Sequence, residues 1–258
     1  MKTSLLSGLA AMMFVGGAAQ AAPPRVILVG DSTMATKSGY GDALCAELGP
    51  GVECVNLARG GRSTLSFRAE GLWDQMLATL KDGRDGAARE TWVLIQFGHN
   101  DQPGKPGRST DLVKDYPVNL ARYVAETRAA GAHPILITPL TRRSFRGPWL
   151  HDDLAPWAAS MRAVAKRTKT PLLDLHALSS AAVQAMGEVE ADTLAMAPKP
   201  KPGEPVSDAT KSERAGAANP VFDRTHLGTK GAAYFAAMVD RELLRIAPQL
   251  NAGAPARR

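Results

Sequence analysis

The stretch Val26-Ile27-Leu28-Val29-Gly30-Asp31-Ser32 decides how this chain folds. Its first four residues form a short, apolar, uncharged run, which predicts a strand buried inside a parallel sheet. In open α/β sheets, ligands bind just beyond the carboxyl ends of the strands. Ser32 therefore falls at the rim of the sheet, with its hydroxyl and its backbone N–H facing that space. A serine after a strand is also a frequent helix N-cap, and Gly30-Asp31-Ser32 alone does not separate the two roles.

Working outward, the same kind of apolar run recurs along the chain. Strands are predicted at 26–29, 52–57, 92–97, 134–138 and 171–175. Helices follow near 40–48, 70–81, 112–130, 153–168 and 176–186, and a last one spans about 228–246. In that last helix Ala232, Phe235, Met238, Val239 and Leu243 recur at helical spacing. Five β-α units of this kind predict a three-layer α/β/α sandwich with a five-stranded parallel sheet. The segment 188–218, which contains Ala197-Pro198-Lys199-Pro200-Lys201-Pro202-Gly203, is expected to be a Pro-rich surface loop beside the site.

Three further segments supply what a serine lacks. Asp223-Arg224-Thr225-His226 sets a carboxylate and an imidazole three residues apart. Serine is a weak nucleophile until a base takes its proton and a third group holds that base. The order Ser, Asp, His is a known order for such a triad. Gly60-Gly61 follows the second strand, and Gly98-His99-Asn100-Asp101 follows the third. The N–H groups of Ser32 and Gly61, with the Asn100 amide, would form a three-donor oxyanion hole. Asp31 and Asp101 are expected to hold their loops through backbone hydrogen bonds, and His99 to support the site or touch substrate.

The chain resembles the SGNH (GDSL-type) hydrolase superfamily, and more narrowly the rhamnogalacturonan acetylesterases. The resemblance is carried by Gly-Asp-Ser-Thr-Met-Ala (30–35), Gly-Gly-Arg-Ser (60–63), Gly-His-Asn-Asp (98–101), Thr-Pro-Leu-Thr-Arg-Arg-Ser-Phe (138–145) and Asp-Arg-Thr-His (223–226), in order along the chain. It implies the SGNH, flavodoxin-like form of the sandwich and a cofactor-free ester hydrolase. It also places the nucleophile on Ser32, the oxyanion donors on Ser32, Gly61 and Asn100, and the remaining triad members on Asp223 and His226. The implied substrate is an acetylated polysaccharide, with pectic rhamnogalacturonan first. The segment 188–218 departs from the family pattern.

Residues 1–21 read as a secretion signal, with Lys2, the apolar run Leu5–Val15 and the small-residue site Ala19-Gln20-Ala21. The remainder, 22–258, is then a single domain exported to the periplasm or beyond. That apolar run is too short to span a bilayer, and no other segment approaches a membrane helix. Cys45 and Cys54 are the only cysteines, and they flank the turn Gly49-Pro50-Gly51. In an oxidising compartment the pair favours a disulfide, with two separately buried thiols as the alternative. The formal charge of +6 suits an anionic partner. No nucleic-acid motif or basic helix accompanies it, so an acidic polysaccharide is the better match.

Arg142, Arg143 and Trp149 lie after the carboxyl end of the fourth strand, placed to pair with uronate carboxylates and stack on sugar rings. Core packing and solvated charge are the competing roles for them. Two other classes of function stand against an esterase. A metal-dependent phosphoesterase would draw ligands from His99, Asp101, Asp223 and His226, but it leaves Ser32 idle and lacks a second set of ligands. A non-catalytic carbohydrate-binding module has no use for serine, acid and histidine together. Within esterases, a lipid or another acetylated sugar is the alternative substrate.

Overall fold

Each central strand divides its side chains between two apolar layers. Val26 and Leu28 of β1 (Arg25–Gly30) enter one cluster, and Ile27 and Val29 enter the other. Trp92 and Leu94 of β3 (Thr91–Gln96) alternate with Val93 and Ile95 in the same way, as do Ile135 and Ile137 of β4 (His133–Ile137) with Leu136. A sheet covered on both faces needs apolar residues at every position, which is why these strands read as unbroken runs. The computed structural model describes residues 22–81, 89–200 and 222–251. The expected signal segment 1–21 and the stretch 201–218 lie outside the described residues.

On one face lie α1 (Gly41–Leu48), α6 (Leu175–Asp192) and α7 (Thr229–Ile246), packing Leu44, Val183 and Phe235 against the sheet. On the other lie α2 (Ser66–Ala69), α3 (Leu72–Lys81), α4 (Tyr116–Ala129) and α5 (Ala155–Thr168), contributing Phe67, Trp73, Leu120 and Met161. The five parallel strands run in the order β2 (Glu53–Asn56), β1, β3, β4, β7 (Leu172–Leu173). This is the three-layer α/β/α sandwich that the sequence predicts. The connections reverse direction between β1 and β3, and the crevice at their carboxyl ends is where such folds bind ligands. Ser32 leaves β1 and Asn100 follows β3 at that crevice.

Several details differ from the sequence reading. α4 starts at Tyr116 rather than near 112, because Asp111 Oδ1 accepts from the N–H groups of Val113 and Lys114 and holds a separate turn. A two-stranded hairpin, β5 (Phe145–Arg146) and β6 (Trp149–Leu150), was not expected. The expected loop at 188–218 begins as helix instead. α6 bends at Gly187 (φ 74°), a backbone state that glycine adopts without strain, and continues to Asp192. Ala191 and Asp192 are buried, and Ala195 then bridges to Leu227. Cys45 and Cys54 form a disulfide, S–S 2.03 Å, that ties α1 to the start of β2. No described helix is long and apolar enough to cross a membrane.

Candidate active site

The turn that carries Ser32 is built by its neighbour. Asp31 Oδ1 accepts from Thr33 N (2.9 Å) and Thr33 Oγ1 (2.8 Å), and the Asp31 carbonyl accepts from Met34 N and Ala35 N. Ser32 thus sits at the crest of a tight turn, nearly buried, and its Oγ has no hydrogen-bond partner among the described residues. A serine that caps no helix and bonds no neighbour is available for chemistry. Behind it, His99 Nδ1 lies 3.3 Å from Asp31 Oδ2, with both side chains buried. Burial pushes the Asp31 carboxyl up, but the His99 charge and the Thr33 bonds outweigh it and hold the carboxyl below its ordinary value.

The acid and the imidazole converge on a single turn. Asp223 Oδ1 accepts from Thr225 N (2.7 Å) and His226 N (2.6 Å), while Oδ2 lies 2.8 Å from His226 Nδ1. Burial raises the Asp223 carboxyl, yet the His226 bond and charge and the two N–H groups bring it below the usual range. It is therefore ionised at neutral pH. In a neutral imidazole held this way, Nδ1 donates to the carboxylate and leaves the lone pair on Nε2, the tautomer a general base requires.

Two hydrogen bonds stitch this turn to the serine across nearly the whole chain. Leu227 N donates to Ser38 O (2.9 Å), and Ser38 Oγ donates to Ser32 O (2.7 Å). The other side of the turn is held by arginines. Arg143 is fully buried and donates from Nη2 to the carbonyls of Asp223 (3.1 Å) and His226 (2.7 Å), and from Nη1 to that of Thr225 (3.4 Å). Arg224 faces away from the site and pairs with Asp192 (Nε–Oδ1 2.9 Å) and with Glu188. The residues just past the Gly187 bend thereby clamp the turn.

A third loop arches over Ser32. Arg59 N donates to Gly30 O (2.9 Å), which brings Gly60 so close that a Cβ there would sit 3.7 Å from Ser32 Cβ. Gly61 has φ +77°, the left-handed region that favours glycine. Neither the Ser32 nor the Gly61 N–H has an acceptor among the described residues. Asn100 is buried, its Nδ2 donating to Arg62 O (3.1 Å). Asp101 braces the loop from below, accepting from Thr64 N and from the hydroxyls of Thr64 (2.5 Å) and Thr110 (3.0 Å). Burial dominates there and pushes the Asp101 carboxyl up to about 7.

The expected sugar-binding set needs correction. Arg143 reaches no solvent, because its guanidinium satisfies carbonyls of the Asp-His turn. Arg142 is also buried and points at Asp153 (3.4 Å). Trp149, 70% exposed on the hairpin, is the member of that set left facing solvent. The positioning roles of Ser38, Arg143 and Arg224 were missed. The signal for the last was available: Arg224 lies between two residues whose side chains must point together, so its own must point elsewhere. Among the described residues no group of three or more His, Cys, Asp and Glu side chains gathers as a metal site. His99 and Asp101 turn to Asp31 and Thr64 instead of joining Asp223 and His226.

The family match of the sequence, rather than the α/β/α fold, places the molecule among the acylhydrolases. Residues 28–234 match the GDSL-like lipase/acylhydrolase family, and the chain belongs to it. It is 31% identical over 225 residues to rhamnogalacturonan acetylesterase RhgT of Bacillus subtilis (strain 168), covering 84% of this chain and 88% of that one. It is also 31% identical over 179 residues to probable rhamnogalacturonan acetylesterase YesY of the same organism, covering 67% of this chain and 79% of that protein. The crystal structure of YxiM from Bacillus subtilis superposes with a TM-score of 0.65 at 24% identity. That match covers 88% of this chain and 57% of the other, so the present chain spans little more than half of that structure.

Proposed function

We propose that this protein is a secreted carbohydrate O-acetylesterase acting on acetylated polysaccharide, with pectic rhamnogalacturonan as its first substrate, by a Ser32–His226–Asp223 mechanism. The observation that carries this reading is the stitching of the Asp223–His226 turn, through Ser38 and Leu227, to Ser32, whose Oγ has no partner among the described residues. Ser32 Oγ attacks the acetyl carbonyl while His226 Nε2 takes its proton, and Asp223 stabilises the imidazolium that forms. The N–H groups of Ser32 and Gly61 and the Asn100 amide bind the oxyanion. Collapse breaks the ester bond, and His226 delivers the proton to the departing sugar oxygen. A water activated by His226 then releases acetate and restores Ser32.

The rhamnogalacturonan preference is supported by the similarity to rhamnogalacturonan acetylesterase RhgT and probable rhamnogalacturonan acetylesterase YesY, and sugar stacking by the exposed Trp149. The signal-like segment at 1–21 supports export. The test measures acetate released from a panel of acetylated rhamnogalacturonan, other acetylated polysaccharides and aryl esters, for wild type and Ser32→Ala. Acetylated rhamnogalacturonan is expected to be turned over fastest, and aryl acetate faster than aryl octanoate. The serine variant should lose on the order of 10⁴-fold or more in kcat. Equal turnover of the octanoate ester refutes the acetylesterase reading, and an active Ser32→Ala refutes the mechanism.

A further inference from the structure

We propose that Lys105 and Arg108 are positioning residues that lock the Asn100 side-chain amide in its oxyanion-binding orientation, an inference that rests on the esterase reading above. The loop that carries them is cross-tied. Lys105 N donates to Ser109 Oγ (2.8 Å), and Ser109 Oγ donates to Gln102 O (2.8 Å). Arg108 N donates to Lys105 O (3.0 Å), and Thr110 N closes the loop on Asp101 O (2.9 Å), one residue past Asn100. The loop thereby folds back over the residue it follows. Lys105 Nζ arrives 3.4 Å from Asn100 Oδ1 and Arg108 Nη1 3.5 Å from the same atom. Arg108 Nη1 also reaches Gly61 O at 3.3 Å, fixing the Gly61–Arg62 peptide next to the second oxyanion donor.

The chemistry of the partners determines which way the amide points. An ammonium and a guanidinium carry donors and no acceptors, so the atom facing them is the carbonyl oxygen. Nδ2 is then turned to the opposite side, where Arg62 O takes one of its hydrogens (3.1 Å) and the other remains for a ligand. A flip of the amide would set its N–H groups against two cations and its oxygen against the Arg62 carbonyl, three repulsions in place of three attractions. At 3.4–3.5 Å the cationic contacts are long for hydrogen bonds and act as charge–dipole attractions. Their effect is on orientation, and orientation is what makes a preorganised donor effective in the transition state.

The experiment is a mutant cycle read on a neutral aryl acetate, which has no carboxylate for either cation to bind. Four forms are compared: wild type, Asn100→Ala, Lys105→Ala with Arg108→Ala, and the triple variant. The paired variant is expected to lower kcat by about 10- to 10²-fold with KM unchanged, less than the roughly 10²–10³-fold loss for a missing oxyanion donor. The triple variant is expected to be no slower than Asn100→Ala alone, since the cations act through that amide. Arg108→Lys with Lys105→Arg keeps both charges and should restore most of the rate, which keeps the test decisive if the alanine form fails to fold. Losses that add on the Asn100→Ala background overturn the proposal, as does wild-type kcat in the paired variant. So does a KM increase confined to acetylated polyuronide, which makes the cations substrate contacts. Full activity in Asn100→Ala removes the oxyanion assignment itself, a failure distinct from that of the lock.

Discussion

Replacing Asp101 by Asn should change how stability depends on pH. Asp101 Oδ1 takes three bonds, from Thr64 N (3.1 Å), Thr64 Oγ1 (2.5 Å) and Thr110 Oγ1 (3.0 Å), while Oδ2 has only the Thr64 N–H at 3.3 Å. Among the described residues no cation pairs with it, and burial lifts it from 3.8 to about 7. The unfolded chain releases this proton near pH 4 and the folded protein near pH 7, so between those values the native state binds more protons. Stability therefore falls as pH rises across that window, by about 4 kcal/mol for a shift of roughly three units. An Asn keeps the accepting oxygen at Oδ1 and never ionises. The other shifted carboxylates among the described residues, Asp31, Asp111, Glu126, Asp174, Glu190 and Asp223, all move downward and so act below about pH 4.5. Urea unfolding of wild type and Asp101→Asn from pH 4 to 8 isolates the effect. The variant should gain steadily on wild type as pH rises, reaching about 4 kcal/mol relative to its pH 4 offset. Unfolding free energies that run parallel over the whole range refute the reasoning.

Three other outcomes follow from the geometry of the site and its supports. Asp223→Asn removes the carboxylate that orients His226 Nδ1 and should cost about 10⁴-fold in kcat on aryl acetate at neutral pH, with little change in KM. Arg143→Met leaves the carbonyls of Asp223, Thr225 and His226 without their charged donor. It should destabilise by about 1–3 kcal/mol in urea and lower kcat on aryl acetate through the loosened turn. Cys45→Ser with Cys54→Ser opens a short loop at the amino end of β2, opposite the carboxyl-end rim that carries Ser32. It should lower stability by about 2–3 kcal/mol while steady-state kcat stays at the wild-type value.

The fold was legible because a strand buried on both faces has only one kind of sequence. Val26–Val29, Trp92–Ile95 and Pro134–Ile137 could be found without knowing their partners. The placement of Ser32, Gly61 and Asn100 beyond the sheet was legible for a related reason: each lies within a few residues of its own strand's carboxyl end, so locating the strand locates the residue. The hairpin at Phe145–Leu150 was not, since two strands of two residues leave no periodicity to detect. Nor was the last turn of α6, because Gly187 reads as a helix end, and only the pairing of Glu188 and Asp192 with Arg224 shows why the helix resumes.

Arg143 marks where sequence reasoning stops. By composition it is a surface cation, and with the neighbouring Arg142 and Trp149 it suggests a sugar-binding loop. Its burial is set by three carbonyls that lie 80 to 83 residues further along the chain. A tight turn that aims one carboxylate at one imidazole leaves its own carbonyls facing inward without helix or sheet partners. Buried carbonyls require donors, and a guanidinium supplies several from one side chain in a fixed plane. Burial pushes Arg143 down to about 10, opposed by Asp223 and Asp192 nearby, so it stays charged through neutral pH. The demand for that arginine arises in the Asp-His turn and is met from the loop after β4. Such a relation becomes visible only when the two loops are side by side, which is also why a residue that looked like a substrate contact supports the Asp223–His226 turn instead.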